Sequence, residues 1–427
     1  MAMKESGIEW VGLIPDDWKI AKNNRLFNIS KQLVNENWKN TQLLSLTKSG
    51  IIEKNINDGG GKQPESFGTY QYVEKDDIVL CLFDIDVSAV FSDRSKYDGM
   101  ISPAYRVMKC TDAILPVYAK WWFDAVNIGR YYLIYTKSLR KTIDADGFGN
   151  ILTVVPPLSE QQVIANYLDE TCSKIDEIIA EAKASIDEYK ELKQSVIFEA
   201  VTKGLDKNVE MKDSGYDFIG DIPSKWEMCK VRHLGTAQNG ISIGGDAFGS
   251  GHSFVSYGDV YKNYSLPKTV DKLVRSSEED RKRYSVEKGD WFFTRTSETI
   301  EEVGFSCVCE ETIPDAVFAG FLIRVRPFNN RIYTGFAKYY FRSNHLRTFF
   351  VKEMNLVTRA SLAQGLLKDA PVVVPPYDEQ IEIANYLENK CKIIDGVIKD
   401  KESTINDLEA YKKSLIYEVV TGKRKVV

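Results

Sequence analysis

The chain is written twice, and that duplication restricts its fold more than any single motif. The segment PPLSEQQVIANYLDETCSKID beginning at Pro156 returns as PPYDEQIEIANYLENKCKIID at Pro375. Over 156–203 against 375–422 the two copies align without a gap and agree at 20 of 48 positions. A shorter marker, SGIEWVGLIPDDW at Ser6, returns as SGYDFIGDIPSKW at Ser214. The displacements are 219 and 208 residues, so the intervening stretches differ in length by 11. Weaker echoes lie between the markers: YAKWWF at Tyr118 and FAKYYF at Phe336, EKDDIVLCLF at Glu74 and EKGDWFFTRT at Glu287, and Arg140, which falls 219 residues before Arg359. The chain therefore divides into a marker with a first variable domain (1–155), a long repeat (156–205), a linker, marker and second variable domain (206–374), and a second long repeat (375–427).

Each long repeat predicts one helix. A proline pair opens it; Ser159 with Gln162 makes a capping box in the first copy, and Asp378 caps the second. Mostly apolar residues then recur at alternating spacings of four and three, through Leu168, Cys172, Ile175, Ile179, Ala182, Ile186 and Tyr189, and again through Leu387, Cys391, Ile394, Ile398, Lys401, Ile405 and Leu408. That is a coiled-coil seam. Lys193 and Lys412 interrupt the two stripes at the same place, which suggests a register device or the end of the seam. A helix over about 159–202 is about 66 Å long. Neither helix buries its stripe alone, so the simplest solution packs them antiparallel, turning a tandem repeat into pseudo-twofold symmetry. The variable stretches mix short apolar runs with glycine and asparagine turns, then aromatic helices at about 116–135 and 333–352. The expected class is α+β: two globular domains of mixed strands and helices, joined by two long coiled-coil helices.

Composition limits the chemistry. No apolar run reaches the roughly 18 to 20 residues of a membrane span, and the start, MAMKESGIEW, lacks a signal-peptide stretch, so a cytoplasmic location is expected. The 7 cysteines form no CxxC pair and the histidines number 3, which leaves little material for a zinc site, a disulfide framework or a catalytic histidine network. GGDAFGSG from Gly244 lacks the lysine of a phosphate loop. Val374-Pro-Pro-Tyr is similar to the Asn/Asp-Pro-Pro-Tyr/Phe motif of amino-methyltransferases, but a valine cannot hydrogen-bond the amino group being methylated, and neither can its counterpart Val155. The acids Asp144 and Asp146 read as turns. No active site is expected within the chain.

The net charge of −5 argues at first against a nucleic-acid partner. The average hides a segregation: residues 21–155 hold 17 lysines and arginines against 15 acids, 223–374 hold 21 against 17, and 156–222 hold 7 against 15. The sharpest excess runs from Arg324 to Arg359, with eight basic residues and one acid, Glu353, and reads as a phosphate-contacting face.

The tandem pattern, with its SGIEWVG...IP..W opening and the PPL.EQ..IA.YL.....KID element at the head of each helix, resembles the specificity subunits of Type I restriction-modification enzymes over nearly all 427 residues. The resemblance implies a non-catalytic DNA-binding subunit in which two target-recognition domains each read half of a bipartite, asymmetric site in double-stranded DNA, while the helices measure the gap. It also implies docking of modification (methyltransferase) subunits, two in number, which carry S-adenosylmethionine and methylate adenine, and a separate restriction or motor subunit that cuts. This chain itself would hold no cofactor. A stand-alone DNA methyltransferase is disfavoured by the missing cofactor motifs, and a coiled-coil scaffold without a DNA role is the other alternative. For base contacts the first expectations are Arg140 and Arg359, which precede the final strand of each domain; arginine grips guanine bidentately. Lys141, Thr294, Arg295 and Thr296 follow, and Lys338, Arg342 and Arg347 are expected to position the phosphate backbone.

Overall fold

A computed structural model describes residues 2–56, 66–88, 91–136, 141–297, 303–353 and 360–426. Packing divides the chain into two units, one of Met1–Lys183 with Glu402–Val427 and one of Ala184–Lys401. The division falls inside both long helices and not at the ends of the repeats. Each unit holds one marker, one variable domain, the start of one long helix and the end of the other.

The marker folds as a hairpin in both copies. Met3–Glu5 pairs antiparallel with Leu13–Pro15, and Met211–Asp213 with Asp221–Pro223. The intervening turn passes through the left-handed region at Gly7 and Gly12 (φ 68° and 66°) and at Gly215 and Gly220 (φ 77° and 73°), which is why the motif spends its glycines there. Ser6 and Ser214 brace the turns, each hydroxyl accepting from the backbone N–H two residues on, at 3.1 and 3.2 Å.

In the first unit the variable domain holds two four-stranded sheets, one of Leu43–Thr47, Gly50–Lys54, Gln71–Val73 and Gly99–Ile101, the other of Phe27–Ile29, Ile78–Leu80, Ser92–Arg94 and Arg106–Cys110. Leu44, Ile51, Val73, Val79, Ile101 and Val107 share a core. The aromatic helix is Pro116–Gly129, burying Tyr118, Trp121, Trp122 and Phe123, followed by a 3-10 turn at Tyr131–Tyr135. In the second unit a four-stranded sheet of Gly235–Asn239, Trp291–Thr294, Ser306–Val308 and Leu322–Pro327 accompanies a three-stranded one of Phe248–Val255, Leu273–Val274 and Val317–Phe318. Two helices, Thr334–Tyr340 and Asn344–Glu353, replace the single aromatic one.

The first long helix is Leu158–Lys203 (46 residues, about 69 Å) and the second Tyr377–Val420 (44 residues, about 66 Å). The capping box is not made: Ser159 lies within the first turn, and Gln162 reaches forward to Asn166 at 2.8 Å. Asp378 likewise sits in the first turn of its helix, where its charge favours the positive end of the dipole. The expected seam is the buried stripe. Leu168, Ile175, Ile179 and Ile186 are buried in the first helix and Leu387, Ile394 and Ile405 in the second, while Tyr189, Ile398 and Leu408 are half-buried.

Each seam lysine makes an ion pair across to the other helix. In the first unit Lys412 Nζ sits 2.6 Å from both carboxylate oxygens of Asp176; in the second, Lys193 Nζ sits 2.7 Å from both of Asp395. The lysines are 219 residues apart and so are the aspartates, so the same bond is made twice with the two helices exchanging roles. The helix segments run antiparallel within each unit. In the first, Trp18 meets Glu160 at the head of one helix and Gly422 at the tail of the other, whereas Asp176 meets Lys412 further along.

A second duplicated bond explains the Glu-Gln of the repeat. Trp18 Nε1 donates to Glu160 at 2.6 Å and Trp226 Nε1 to Glu379 at 2.9 Å, tying each marker to a helix head. The fully buried Gln161 accepts from Leu115 N–H at 2.7 Å and donates to the Pro156 carbonyl at 2.8 Å; Gln380 does the same with Tyr333 and Pro375, at 2.7 and 2.9 Å. Each glutamine thus satisfies the chain entering the aromatic helix and the chain leaving the proline pair, groups that burial would otherwise leave unpaired.

Candidate nucleic-acid interface

The final strand of each domain follows a segment that returns to the same neighbour. In the first unit Ile143 N–H donates to the Leu82 carbonyl at 2.9 Å, and Ile85 N–H to the Lys141 carbonyl at 3.3 Å. In the second, Leu362 N–H donates to the Arg295 carbonyl at 2.7 Å, and Thr296–Ser297 pairs antiparallel with Ala360–Ser361. Leu82 and Arg295 hold the same place in EKDDIVLCLF and EKGDWFFTRT, and Ile143 lies 219 residues before Leu362. The expected residues Arg295 and Thr296 therefore meet Ala360–Leu362, far from them in sequence. Arg140 and Arg359 themselves lie outside the described residues.

Backbone strain gathers at this junction in the first unit. Asp84, Arg130 and Lys141 have φ of 47°, 50° and 46°, three of the six non-glycine residues at positive φ among the described residues. Such conformations persist where surrounding contacts over-determine them. Arg130 supplies such contacts, its Nη1 donating to the carbonyls of Ile85, at 3.1 Å, and Asp86. Lys141 is exposed beside them.

Several expected contact residues are engaged within the protein. Thr294 is fully buried and its hydroxyl accepts from Phe305 N–H at 2.9 Å. Lys338 has a side chain only 14% exposed, paired with Glu388 at 2.7 Å and Glu310 at 3.5 Å. Burial pulls its pKa down, but the two carboxylates more than offset that and hold it above the usual lysine range. Arg342 donates to the carbonyls of Val260, Asn263 and Ser306 at 3.1, 3.2 and 2.8 Å and to that of Tyr261, so it closes the end of the short helix Tyr257–Lys262. Burial depresses its pKa. Arg347 lies over the Phe305 ring at 4.3 Å. Arg295 and Thr296 are half-buried and line a cavity of about 550 Å³ with Lys272, Ser242 and Phe321.

Among the described residues, the basic run from Arg324 is accordingly no continuous phosphate-facing surface. Arg324 is 6% exposed and donates to the Ser285 carbonyl and to Gln238, both at 2.6 Å. Arg326 pairs with Asp290 and Glu287 at 2.7 Å, and Arg331 pairs with Glu227. The acids that neutralise this run come from other parts of the chain, so a count along the sequence could not register them. Sequence reasoning also missed three exposed apolar residues near the junctions. Val87 is 74% exposed, and Ile134 and Phe321 are each 65%, the highest values among large apolar side chains of the described residues. All 7 cysteines are free. Among the described residues no group of three or more His, Cys, Asp or Glu is placed to hold a metal ion, and no helix is long and apolar enough to cross a membrane.

No family profile matches the sequence. Curated relatives do: the EcoKI specificity subunit of Escherichia coli K12 is 22% identical over 285 residues, covering 63% of this chain and 57% of the relative. The Escherichia coli EcoBI specificity subunit is 24% identical over 284 residues, covering 64% and 58%. The MjaVIII specificity subunit of Methanocaldococcus jannaschii is 22% identical over 309 residues, covering 69% and 70%. The chain thus spans less than two thirds of the first two relatives. Among solved structures, a chain from a study of complex assembly and conformational transition in the type I R-M system superposes with a TM-score of 0.74 at 13% identity, covering 96% of this chain and 99% of that one. The HsdS subunit from Thermoanaerobacter tengcongensis superposes with a TM-score of 0.54 at 14% identity, covering 96% and 98%. The chain thus shares the fold of these solved chains and is similar in sequence, over part of their length, to specificity subunits of Type I restriction enzymes.

Proposed function

We propose that this chain is the non-catalytic DNA-reading subunit of a Type I restriction-modification complex, acting in the cytoplasm. Each variable domain reads one half of a bipartite site, and the two long helices set the interval between the halves. The observation that carries this reading is the duplicated junction: one backbone arrangement is made twice, yet it leaves Lys141 exposed beside the buried Leu82 and Ile85 in one domain, and Arg295, Thr296 and Ser361 reachable in the other. A frame repeated with different side chains suits two different half-sites. The curated relatives, all specificity subunits of Type I restriction enzymes, support the same assignment. Modification subunits bringing S-adenosylmethionine, and a motor subunit in the full complex, are the partners this role requires; the chain binds no cofactor of its own.

The test is to map methylated adenines in cells expressing the chain with its modification partners, expecting a split, asymmetric site. Calorimetry on the isolated chain should detect no S-adenosylmethionine binding. Inserting seven residues after Ala184 and seven after Ser403 keeps both seams in phase and adds about 10.5 Å of rise. The unspecified gap should lengthen by about one to three base pairs, the shortfall being absorbed by DNA twist. An active complex that kept the original gap would refute the spacing role.

A further inference from the structure

We infer that Phe321 reads the C5 methyl group of a thymine in the half-site taken by the second domain; this rests on the DNA-reading function proposed above. The side chain is 65% exposed, although a phenylalanine has more to gain from burial than almost any other residue. Its backbone is fixed. The Phe321 carbonyl accepts from Arg295 N–H at 2.9 Å, Leu322 N–H donates to Ala319 at 3.0 Å, and a Cβ on Gly320 would come within 2.8 Å of Ser242 Oγ. The ring is therefore held out beside Arg295 and Thr296, at the junction already assigned to DNA.

The surroundings favour a nucleic acid. The cavity of about 550 Å³ that Phe321 lines includes the cations Lys272 and Arg295 and the hydroxyls of Ser242, Ser256 and Thr296, and no described carboxylate lines it. In a chain with 61 acidic residues against 56 basic ones, that is a local reversal of charge suited to a phosphate-bearing partner. A phenyl ring can donate and accept no conventional hydrogen bond. Among the features that base edges present in the major groove, the apolar one is the thymine methyl group. Ile393, 63% exposed on the second long helix, serves as the control.

The experiment uses the full chain and a duplex it selects from a random pool. Each thymine in the selected site is replaced singly by deoxyuridine, which removes the methyl group and leaves pairing intact. Binding should weaken about four-fold at one position, the effect of one buried methyl group. Phe321→Ala should weaken binding to the thymine duplex by at least as much and make thymine and deoxyuridine equivalent at that position. Phe321→Leu should retain the discrimination, and Ile393→Ala should leave it unchanged. The inference is overturned if no thymine responds, or if Phe321→Ala keeps the full deoxyuridine response. It is also overturned if Phe321→Ala weakens every duplex alike with loss of a DNA bend, which would make the ring a wedge between base steps. A selected site without a methyl response defeats this inference alone; failure to select any sequence defeats the DNA-reading function as well.

Discussion

The two variable domains are alike where they join the helices and unlike where their loops converge. Trp18 with Glu160 and Trp226 with Glu379 make one bond, and Gln161 and Gln380 make one clamp, at distances that differ by no more than a few tenths of an ångström. At the junctions the equivalence is confined to backbone. Leu82 is buried where Arg295 is half-buried, and a strained pair, Asp84 and Lys141, stands where the second domain makes a short strand pair. The contrast separates architecture from the rest of the repeat: side chains recur where they tie the chain to itself and diverge at the junctions.

The largest effects should come from the shared part. Trp18 and Trp226 are 2% and 1% exposed, so replacing either by alanine should cost about 3–5 kcal/mol and loosen its own unit. Hydrogen exchange resolved by peptide would show the loss confined to Met1–Lys183 with Glu402–Val427 for Trp18→Ala, and to Ala184–Lys401 for Trp226→Ala. Equal loosening of both units by either variant would break the comparison.

A smaller effect should separate the units by pH. All three histidines lie in Ala184–Lys401, and burial holds His345 down to about 3 from its ordinary 6.5. Below pH 6.5 the unfolded chain takes up a proton that the folded one refuses, so the second unit loses stability as pH falls from 6.5 towards 3. At pH 5 the loss is about 2 kcal/mol. The first unit should not share it. Burial raises the pKa of Asp124 and Asp77 there, and a carboxyl whose folded pKa is raised gains stability as acid protonates it. Melting at pH 7 and pH 5 with probes in each unit checks this, and His345→Asn should abolish the pH-dependent loss in the second unit.

The smallest effect concerns the seam. Lys193→Glu sets like charges against Asp395 and Lys412→Glu does so against Asp176, each costing about 1 kcal/mol. The loss should be larger for Lys193, whose side chain is 14% exposed against 26% for Lys412. Adding Asp395→Lys or Asp176→Lys should restore the respective unit. Failure of both reversals would mean that the lysines end the seam and do not set its register.

Periodicity and repetition make the long helices and the seam from Leu168 to Leu408 legible in the amino-acid sequence, because helix packing obeys local spacing. The Trp–Glu ties are not legible there, although both partners stand out as repeated motifs. Nothing in the spacing of Trp18 and Glu160, 142 residues apart, says that they touch. The basic run misleads for the same reason: Arg326 and Lys338 meet Asp290 and Glu388, acids brought to them by the fold. The capping box at Ser159 fails because the helix begins at Leu158, two residues before the Glu160 start that a Ser159 cap requires.

On the proposed function, two unlike domains read two separate half-sites. Its most direct test is selection by the full chain, with its modification partners, from a pool of random duplexes at fixed salt. Two enriched blocks of different sequence should emerge, divided by an unspecified interval of constant length, with Arg295→Ala relaxing preference in one block only. A single contiguous block, or no enrichment above non-specific binding, would contradict it.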